Sequence, residues 1–485
     1  MQVSTKVGYG IGQVSDGVKQ SVFSLFLFFY YNQLLGLSAS LAGLAALLAL
    51  LVDAVTDPMI GQYSDKLKSR WGRRHPFMFA GALFFGVTLI ALFTPSSELT
   101  QVGLFGWMLC WSILARVALT FFYVPHLSLG SEIVTGYHER TNLISYRVFF
   151  SYLGGLVTSL VGFVVFFAPT EEFANGMLNP EAYPKFAVFA CLLAMLTMLY
   201  SVYSTRSTIS SLREPLVDEN ARHPLLGFVT IFKTLKQKSF RMLFLTILAY
   251  MALTGVGLTL LVYVATYLFG FSSEQLAMLV FAQFIGLLFA PLAASKLTAR
   301  FDKRRALSIC VVVGVLITFL PVNLYLLGYI QELSVEQRFL VVFLLNGLSQ
   351  VFLMAYVIVF DSMLSDTIDE HELETGLREE GLYFATRSFA FKASYGLGAF
   401  IAGIGLDVIK FPKGMDPTEV PVETLMDLAT FSGPFLMVCF LLTIFIAKRY
   451  DIDEARHAEI SAQLNRKADE GLEPAAEPAG STSVI

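Results

Sequence analysis

An all-α polytopic membrane protein of about twelve helices is the fold class that this sequence predicts. Three observations predict it. Of the 485 residues, 55% are hydrophobic and only 15% are charged, against roughly 25% charged in an ordinary soluble domain. The mean hydropathy is +0.64. Apolar runs of about twenty residues or more, the length needed to cross a bilayer, follow one another along the chain with short polar connections between them. A soluble helical bundle of this composition would have to hide nearly every helix from water.

Spans are predicted at Tyr9–Gly36, Ala39–Tyr63, Pro76–Thr94, Val102–His126, Tyr146–Ala168 and Tyr183–Tyr203 in the first half. In the second half they are predicted at Phe240–Phe269, Glu274–Leu297, Ala306–Tyr329, Phe339–Met363, Phe384–Val408 and Leu428–Ala447. The first run is long because Asp16 and Lys19 interrupt it. Met1 to Lys6 is short and polar, and the run that follows is too long for the core of a signal peptide, so an uncleaved first span is expected.

Basic residues concentrate after the second span (Lys66, Lys68, Arg70, Arg73, Arg74), after the sixth, and after the eighth (Arg300, Lys303, Arg304, Arg305). The alternate connections are acidic or neutral. Basic loops face the cytoplasm, so both termini are expected there, in a multi-pass protein of the inner or plasma membrane. The long polar segment divides the spans six and six. The expected organisation is an N-terminal bundle over 1–205, a cytoplasmic linker over 206–239, a C-terminal bundle over 240–448 and a partly disordered cytoplasmic tail over 449–485.

The formal net charge is −4, and the basic residues lie in loops rather than along one face, which gives no footprint for nucleic acid. The four cysteines, Cys110, Cys191, Cys310 and Cys439, are dispersed in apolar runs without ligand spacing or a disulfide pattern. No His-x-x-His or Glu-x-x-His cluster lies within a span, and Glu370-His371-Glu372 reads as a solvated face. A membrane-embedded enzyme and a sensor that kept the fold without transport are the readings from other classes. No cofactor is expected.

Ionisable residues inside a membrane are expensive and carry a functional reading by default. Asp53-Ala-Val-Thr56-Asp57-Pro58 sets two carboxylates one turn apart on one helical face. Two such charges repel unless one is protonated or a cation lies between them. A hard cation such as sodium prefers oxygen ligands, which Asp53, Asp57 and the Thr56 hydroxyl supply, making the two aspartates the candidate Na+ ligands. Asp16 and Lys19 stand three residues apart; they form a structural pair or line a polar cavity that binds solute hydroxyls. Arg116, Arg147 and Lys392 are cations in apolar runs that need anionic partners, and Asp361 is placed to pair with Arg387. Tyr123-Val-Pro125-His126 puts an aromatic and an imidazole at one level, either to stack on a sugar ring or as part of an interfacial belt.

The motif Asp53-Ala-x-x-Asp57-Pro58, then Gly61, Asp65 and Arg70-x-Gly72-Arg73-Arg74-x-Pro76, resembles the glycoside–pentoside–hexuronide:cation symporter family of the major facilitator superfamily, in its melibiose-permease-like form. Lys6-Val-Gly-Tyr9-Gly10-x-Gly12, Val124-Pro125-x-x-Ser128-Leu129, Glu139-Arg140-Thr141 before Arg147, Asp366-x-Ile368-Asp369 and Lys392 fit as well. The resemblance implies two six-helix bundles, alternating access, and a coupling-cation site of Asp53, Thr56, Asp57 and Thr120. It implies gating by Gly61, Asp65, Arg70, Arg73 and Arg74, and solute contacts from Asp16, Lys19, Tyr123, His126, Arg147 and Lys392. The two aspartates that hold sugar hydroxyls in the family's melibiose carriers fall at Gly17 and Tyr123 here, so that pair is not preserved. The expectation is a monomeric secondary transporter, coupled to Na+ or H+, for a small sugar or glycoside. A lysolipid or other amphipathic solute is the second reading within transport, since it would not need those carboxylates.

Overall fold

The computed structural model describes residues 3–134, 137–211, 234–377 and 379–469. Among them the chain is helical throughout its ordered elements, with no strand. Most of the linker predicted over 206–239 lies outside the described residues, as does the end of the tail, where disorder was expected. What is seen of the linker is a short 3₁₀ turn, Arg206–Ser211.

The first span is not one straight helix. It runs as α1 (Val3–Ile11) and α2 (Val14–Ser21), then continues through two wider π-type stretches, Val22–Leu27 and Tyr30–Leu34. The break falls at Gly12 and Gln13, whose amides bond three residues back to Tyr9 and Gly10. Asp16 and Lys19 therefore do not cause the interruption; they satisfy each other within α2 at 2.7 Å.

The remaining N-terminal elements are α3 (Ala39–Lys66), α4 (His75–Leu92), α5 (Gln101–Ile133), α6 (Tyr137–Val161) and α7 (Ala182–Thr205). The second half comprises α8 (Lys238–Tyr263), α9 (Ser273–Arg300), α10 (Lys303–Leu326), α11 (Val335–Thr375) and α12 (Glu380–Val408). It ends in α13 (Val422–Thr430), α14 (Leu436–Ala447) and α15 (Glu454–Asp469). A π-type turn over Phe431–Phe435 joins α13 and α14 into one crossing. Eleven of these segments are long and apolar enough to cross a membrane. The broken first span makes the twelfth crossing, and the architecture is that of two six-helix bundles.

Several helices outrun their predicted ends. The fourth span continues from His126 to Ile133. The tenth, α11, has 41 residues. At 1.5 Å per residue that is about 60 Å, roughly twice the hydrocarbon thickness. Its polar final turns project beyond the membrane and stop at Gly376, which takes the left-handed conformation at φ 75° that favours glycine. The region after Lys448 is also more ordered than predicted. α15 lies against the projecting end of α11, with Ile452 and Ile460 buried and Lys467 Nζ donating to the Leu373 carbonyl at 3.0 Å.

The bundles meet along α3 and α12. Small residues let the two backbones approach, as is usual between helices in lipid. A Cβ at Gly43 would lie 2.5 Å from the Ala399 carbonyl oxygen, and one at Gly403 would overlap the Ala39 carbonyl. Gly396 presses likewise on Leu47.

The seam yields a prediction. Gly403→Ala is expected to lower stability by about 1–3 kcal/mol through overpacking. Gly106→Ala, at a glycine with open space around it, is the control and is expected to leave the melting temperature in detergent unchanged. Equal melting temperatures for the two variants would show that the seam yields freely.

Candidate functional site

A cavity of about 850 Å³ lies between the bundles and is lined from both. Four helices bring charge to it. α2 contributes Asp16 and Lys19; α3 contributes Asp53 and Asp57; α5 contributes Arg116, Thr120 and Tyr123; α12 contributes Arg387 and Lys392. The α5 residues recur at four- and three-residue steps and so share one face.

The two aspartates of α3 lie side by side. The Thr120 hydroxyl is 3.0 Å from Asp53 Oδ1 and 2.9 Å from Asp57 Oδ1. One hydroxyl carries one proton, so it donates to one carboxylate at a time. The second charge is met from the opposite bundle. Lys392 Nζ is 3.0 Å from Asp53 Oδ2 and also pairs closely with Asp57 Oδ2. Arg116 Nη1 is 3.8 Å from Asp53 Oδ2, with its guanidinium 4.6 Å from the centroid of the Phe23 ring. All donors around the pair other than Lys392 and Arg116 are oxygens, carrying two negative charges, a set that fits a small hard cation.

This geometry corrects two sequence-derived assignments. Lys392, expected to touch solute, is engaged with the α3 carboxylates as an internal cation, because no other charge is close enough to neutralise both. Thr56, expected among the cation ligands, turns its hydroxyl to the backbone carbonyl of Asp53 at 3.2 Å. A helical threonine commonly satisfies itself this way. The oxygen beside both carboxylates is that of Thr120.

The solute candidates divide. Asp16 pairs with Lys19 at 2.7 Å and also accepts from the Ser151 hydroxyl at 3.0 Å, while both charged residues line the cavity. The two readings of this pair therefore hold together. Tyr123 lines the cavity too, with Lys19 Nζ 5.8 Å from its ring centroid. His126 does not. It is fully buried, stacked at 4.1 Å on Tyr9, and held by Gln13 Nε2 at 3.1 Å and the Tyr9 carbonyl at 2.9 Å. Those bonds support the break in the first span, so His126 is a structural residue. Arg147 is likewise absent from the lining and bonds the Tyr9 phenol. It sits one turn before Ser151 on α6 and so faces Tyr9 rather than Asp16.

The gating candidates cluster within one bundle. Glu132, at the end of α5, accepts from Arg73 at 2.9 Å and Arg74 at 2.8 Å; Arg74 also pairs with Asp65 and donates to the Ser64 hydroxyl at 2.6 Å. Sequence reasoning missed Glu132, whose signal was a lone acid beside the basic turn once α5 is extended past His126. Arg70 is exposed and makes no ion pair among the described residues, a correction to its gating assignment. Gly61 packs α3 on α5, where an added Cβ would meet Val124 at 3.4 Å. In the second bundle Arg387 bonds Asp361 at 2.8 Å, as predicted, and Lys303 bonds Asp366 at 2.7 Å.

Sequence reasoning also missed what closes the opposite end. Tyr263 donates to Asn32 at 2.7 Å and Tyr267 to Gln33 at 3.0 Å. Asp407 accepts from the Ala39 and Ser40 amides at 3.1 and 2.8 Å, so a carboxylate of one bundle caps a helix of the other. These bonds all cross between bundles. The ion pairs given above for the basic-loop end each stay within one.

Two helical bundles packed around a charged central cavity define a membrane transporter of the major facilitator type. The family described as MFS/sugar transport protein matches residues 8–454, and the chain belongs to it. This agrees with the glycoside–pentoside–hexuronide:cation symporter resemblance carried by the Asp53–Arg74 motif. The chain is 25% identical to a symporter of Synechocystis sp., over 96% of this chain and 97% of that protein. It is 24% identical to an inner membrane symporter of Escherichia coli, over 93% and 92%. An isoprimeverose transporter of Lactiplantibacillus pentosus matches at 23% identity over 83% and 79%. The fold resembles a crystal structure of a D-xylose-proton symporter with a TM-score of 0.60 and 15% identity, covering 92% of this chain and 96% of that one. The family is one of transporters, not enzymes.

The Glu132 cluster yields a prediction. Glu132→Ala strands two arginines, one of them buried, and is expected to reduce stability by about 3 kcal/mol. Arg70→Ala, on an exposed residue, is expected to change it by no more than about 0.5 kcal/mol. Thermal denaturation of the purified variants distinguishes them, and a Glu132→Ala protein as stable as wild type would remove the cluster's structural role.

Proposed function

We propose that this protein is a symporter that couples a small hard cation, Na+ or H+, to a sugar or glycoside by alternating access between the bundles 1–205 and 240–448, with 206–239 connecting them. The observation that supports this best is the meeting of Asp53, Asp57 and Thr120 from one bundle with Lys392 from the other, in the wall of a cavity both bundles line.

In this reading Lys392 stands in for the coupling cation while the site is unloaded. Its ammonium neutralises the α3 carboxylates and ties α12 to α3. A cation arriving at Asp53, Asp57 and Thr120 competes with the ammonium and releases that tie. Solute then contacts Asp16, Lys19 and Tyr123 on one side and the polar residues of the second bundle, such as Asn346 and Gln350, on the other. Coupling follows because both ligands favour the same arrangement of the bundles.

Hydroxyls, amides and charges interleaved with aromatic rings suit a polyhydroxylated ring better than an acyl chain, which favours the sugar over the lysolipid. Relatives named as a lactose permease, an isoprimeverose transporter and a raffinose carrier lend the same support. The basic connections place both termini in the cytoplasm of a cell whose inner or plasma membrane holds the protein, and a monomer suffices for the mechanism.

Two outcomes are expected in proteoliposomes. Asp57→Asn abolishes cation-dependent solute uptake while the protein still inserts; uptake surviving with unchanged cation dependence would remove Asp57 from the coupling site. Lys392→Met eliminates the internal competitor, so the apparent affinity for the coupling cation rises at least threefold while coupled uptake falls. Cation titrations followed by tryptophan fluorescence measure the first effect. Unchanged affinity would show that Lys392 does not compete.

A further inference from the structure

We infer that the solute carries one negative charge, a uronate-type glycoside rather than a neutral sugar, and that Arg116 is the residue that receives its carboxylate. The inference rests on the symport reading above and narrows its substrate class.

The first observation is Arg116 itself. It lies on α5 in the cavity wall, 8% exposed, and its Nε is buried without a hydrogen-bond partner among the described residues. Its one ion-pair contact, to Asp53, is 3.8 Å long, beyond hydrogen-bond distance. A buried guanidinium presents five donors in a rigid fork, and unfilled donors at such a site are costly. The fork matches a carboxylate bidentately. The neighbouring Phe23 ring, 4.6 Å away, packs on the guanidinium and leaves it no oxygen.

The second observation is the charge carried by the cavity. Its cations are Lys19, Arg116, Arg387 and Lys392. Four carboxylates answer them: Asp16 at Lys19, Asp361 at Arg387, and Asp53 and Asp57 facing Lys392 and Arg116. The unloaded site is therefore balanced. A coupling cation that takes Asp53 and Asp57 leaves Lys392 and Arg116 sharing one residual negative charge. The loaded cavity then holds one uncompensated positive charge at membrane depth, which is strongly disfavoured. A monoanionic solute restores the balance, and a neutral one does not. Arg116 is the nearer receptor, because it is already short of acceptors and does not have to move to gain one.

The same balance gives the coupling its direction. Before the cation binds, an anionic solute would meet Asp53 and Asp57 still charged and would be repelled. After it binds, the solute is drawn in. Cation and anion thus each favour the other's binding without touching.

The test uses full-length protein in proteoliposomes with imposed sodium or proton gradients and matched aryl glycosides: a glucuronide with its glucoside, and a galacturonide with its galactoside. In at least one pair, cation-driven uptake of the uronide is expected to exceed that of the neutral partner at least tenfold. Arg116→Gln is expected to reduce that preference at least tenfold, and Arg116→Lys to retain part of it, since charge survives without the fork. Cation-driven uptake of the neutral members alone, or an Arg116→Gln variant that changes both members of a pair equally, overturns the inference and leaves symport standing. No movement of any member under either gradient overturns the symport reading and this inference with it. Should Arg116→Gln fail to insert, the wild-type pair comparison and Arg116→Lys still decide the matter.

Discussion

A charge placed in hydrocarbon must find its opposite, and the centre of this protein is arranged around that requirement. Asp53 and Asp57 stand one turn apart on α3, where either would be disfavoured alone and both together more so. No residue of their own helix can relieve them. Relief comes from Thr120 and Arg116 on α5 and from Lys392 on α12. The last of these belongs to the other bundle, so the electrostatics of one helix fix the relative position of two halves of the molecule. A tie of this kind is strong only while both carboxylates are charged, which makes it responsive to any cation that competes for them.

The rest of the architecture places and limits that tie. Glycines along α3 and α12 bring the backbones close enough for a lysine side chain to reach across. The broken first span sets Asp16 and Lys19 against the cavity, while Gln13, Tyr9 and His126 hold the break in place. Around the cavity, aromatic packing such as Phe26 with Phe163, Phe167 and Phe186 keeps each bundle rigid, so that a change at the centre moves helices together rather than one at a time.

The two ends of the molecule are closed by different chemistry. At the end holding Asn32, Gln33 and Asp407, the bundles are joined by neutral hydrogen bonds and a helix cap. At the basic-loop end, Arg73, Arg74 and Glu132 hold one bundle together, and Lys303 with Asp366 holds the other. Hydrogen bonds between neutral groups exchange readily with water, whereas stranding a buried ion is expensive. The seam between bundles is therefore the part that can open, and the ion clusters are the parts that travel intact.

The membrane class, the span pattern and the basic connections were all legible in the sequence, because apolar length and loop charge act locally and leave a linear trace. The Asp53–Arg74 motif was legible for the same reason, and it carried the family. So was the i, i+3 pair of Asp16 and Lys19, and so was the pairing of Asp361 with Arg387. The partner of Asp53 and Asp57 was not. Lys392 lies 335 residues from Asp57, and nothing in a linear pattern distinguishes a lysine that answers a distant carboxylate from one that waits for solute. His126 and Arg147 stood at plausible heights in their spans, but height does not say which way a helix face turns. The break at Gly12 and Gln13 and the packing of α6 turned them toward Tyr9 and away from the cavity. The sequence by itself determined that charges would be buried in a twelve-span bundle; only the tertiary structure decided which of them meet, because pairing depends on helix rotation and on contacts between halves that the chain order does not encode.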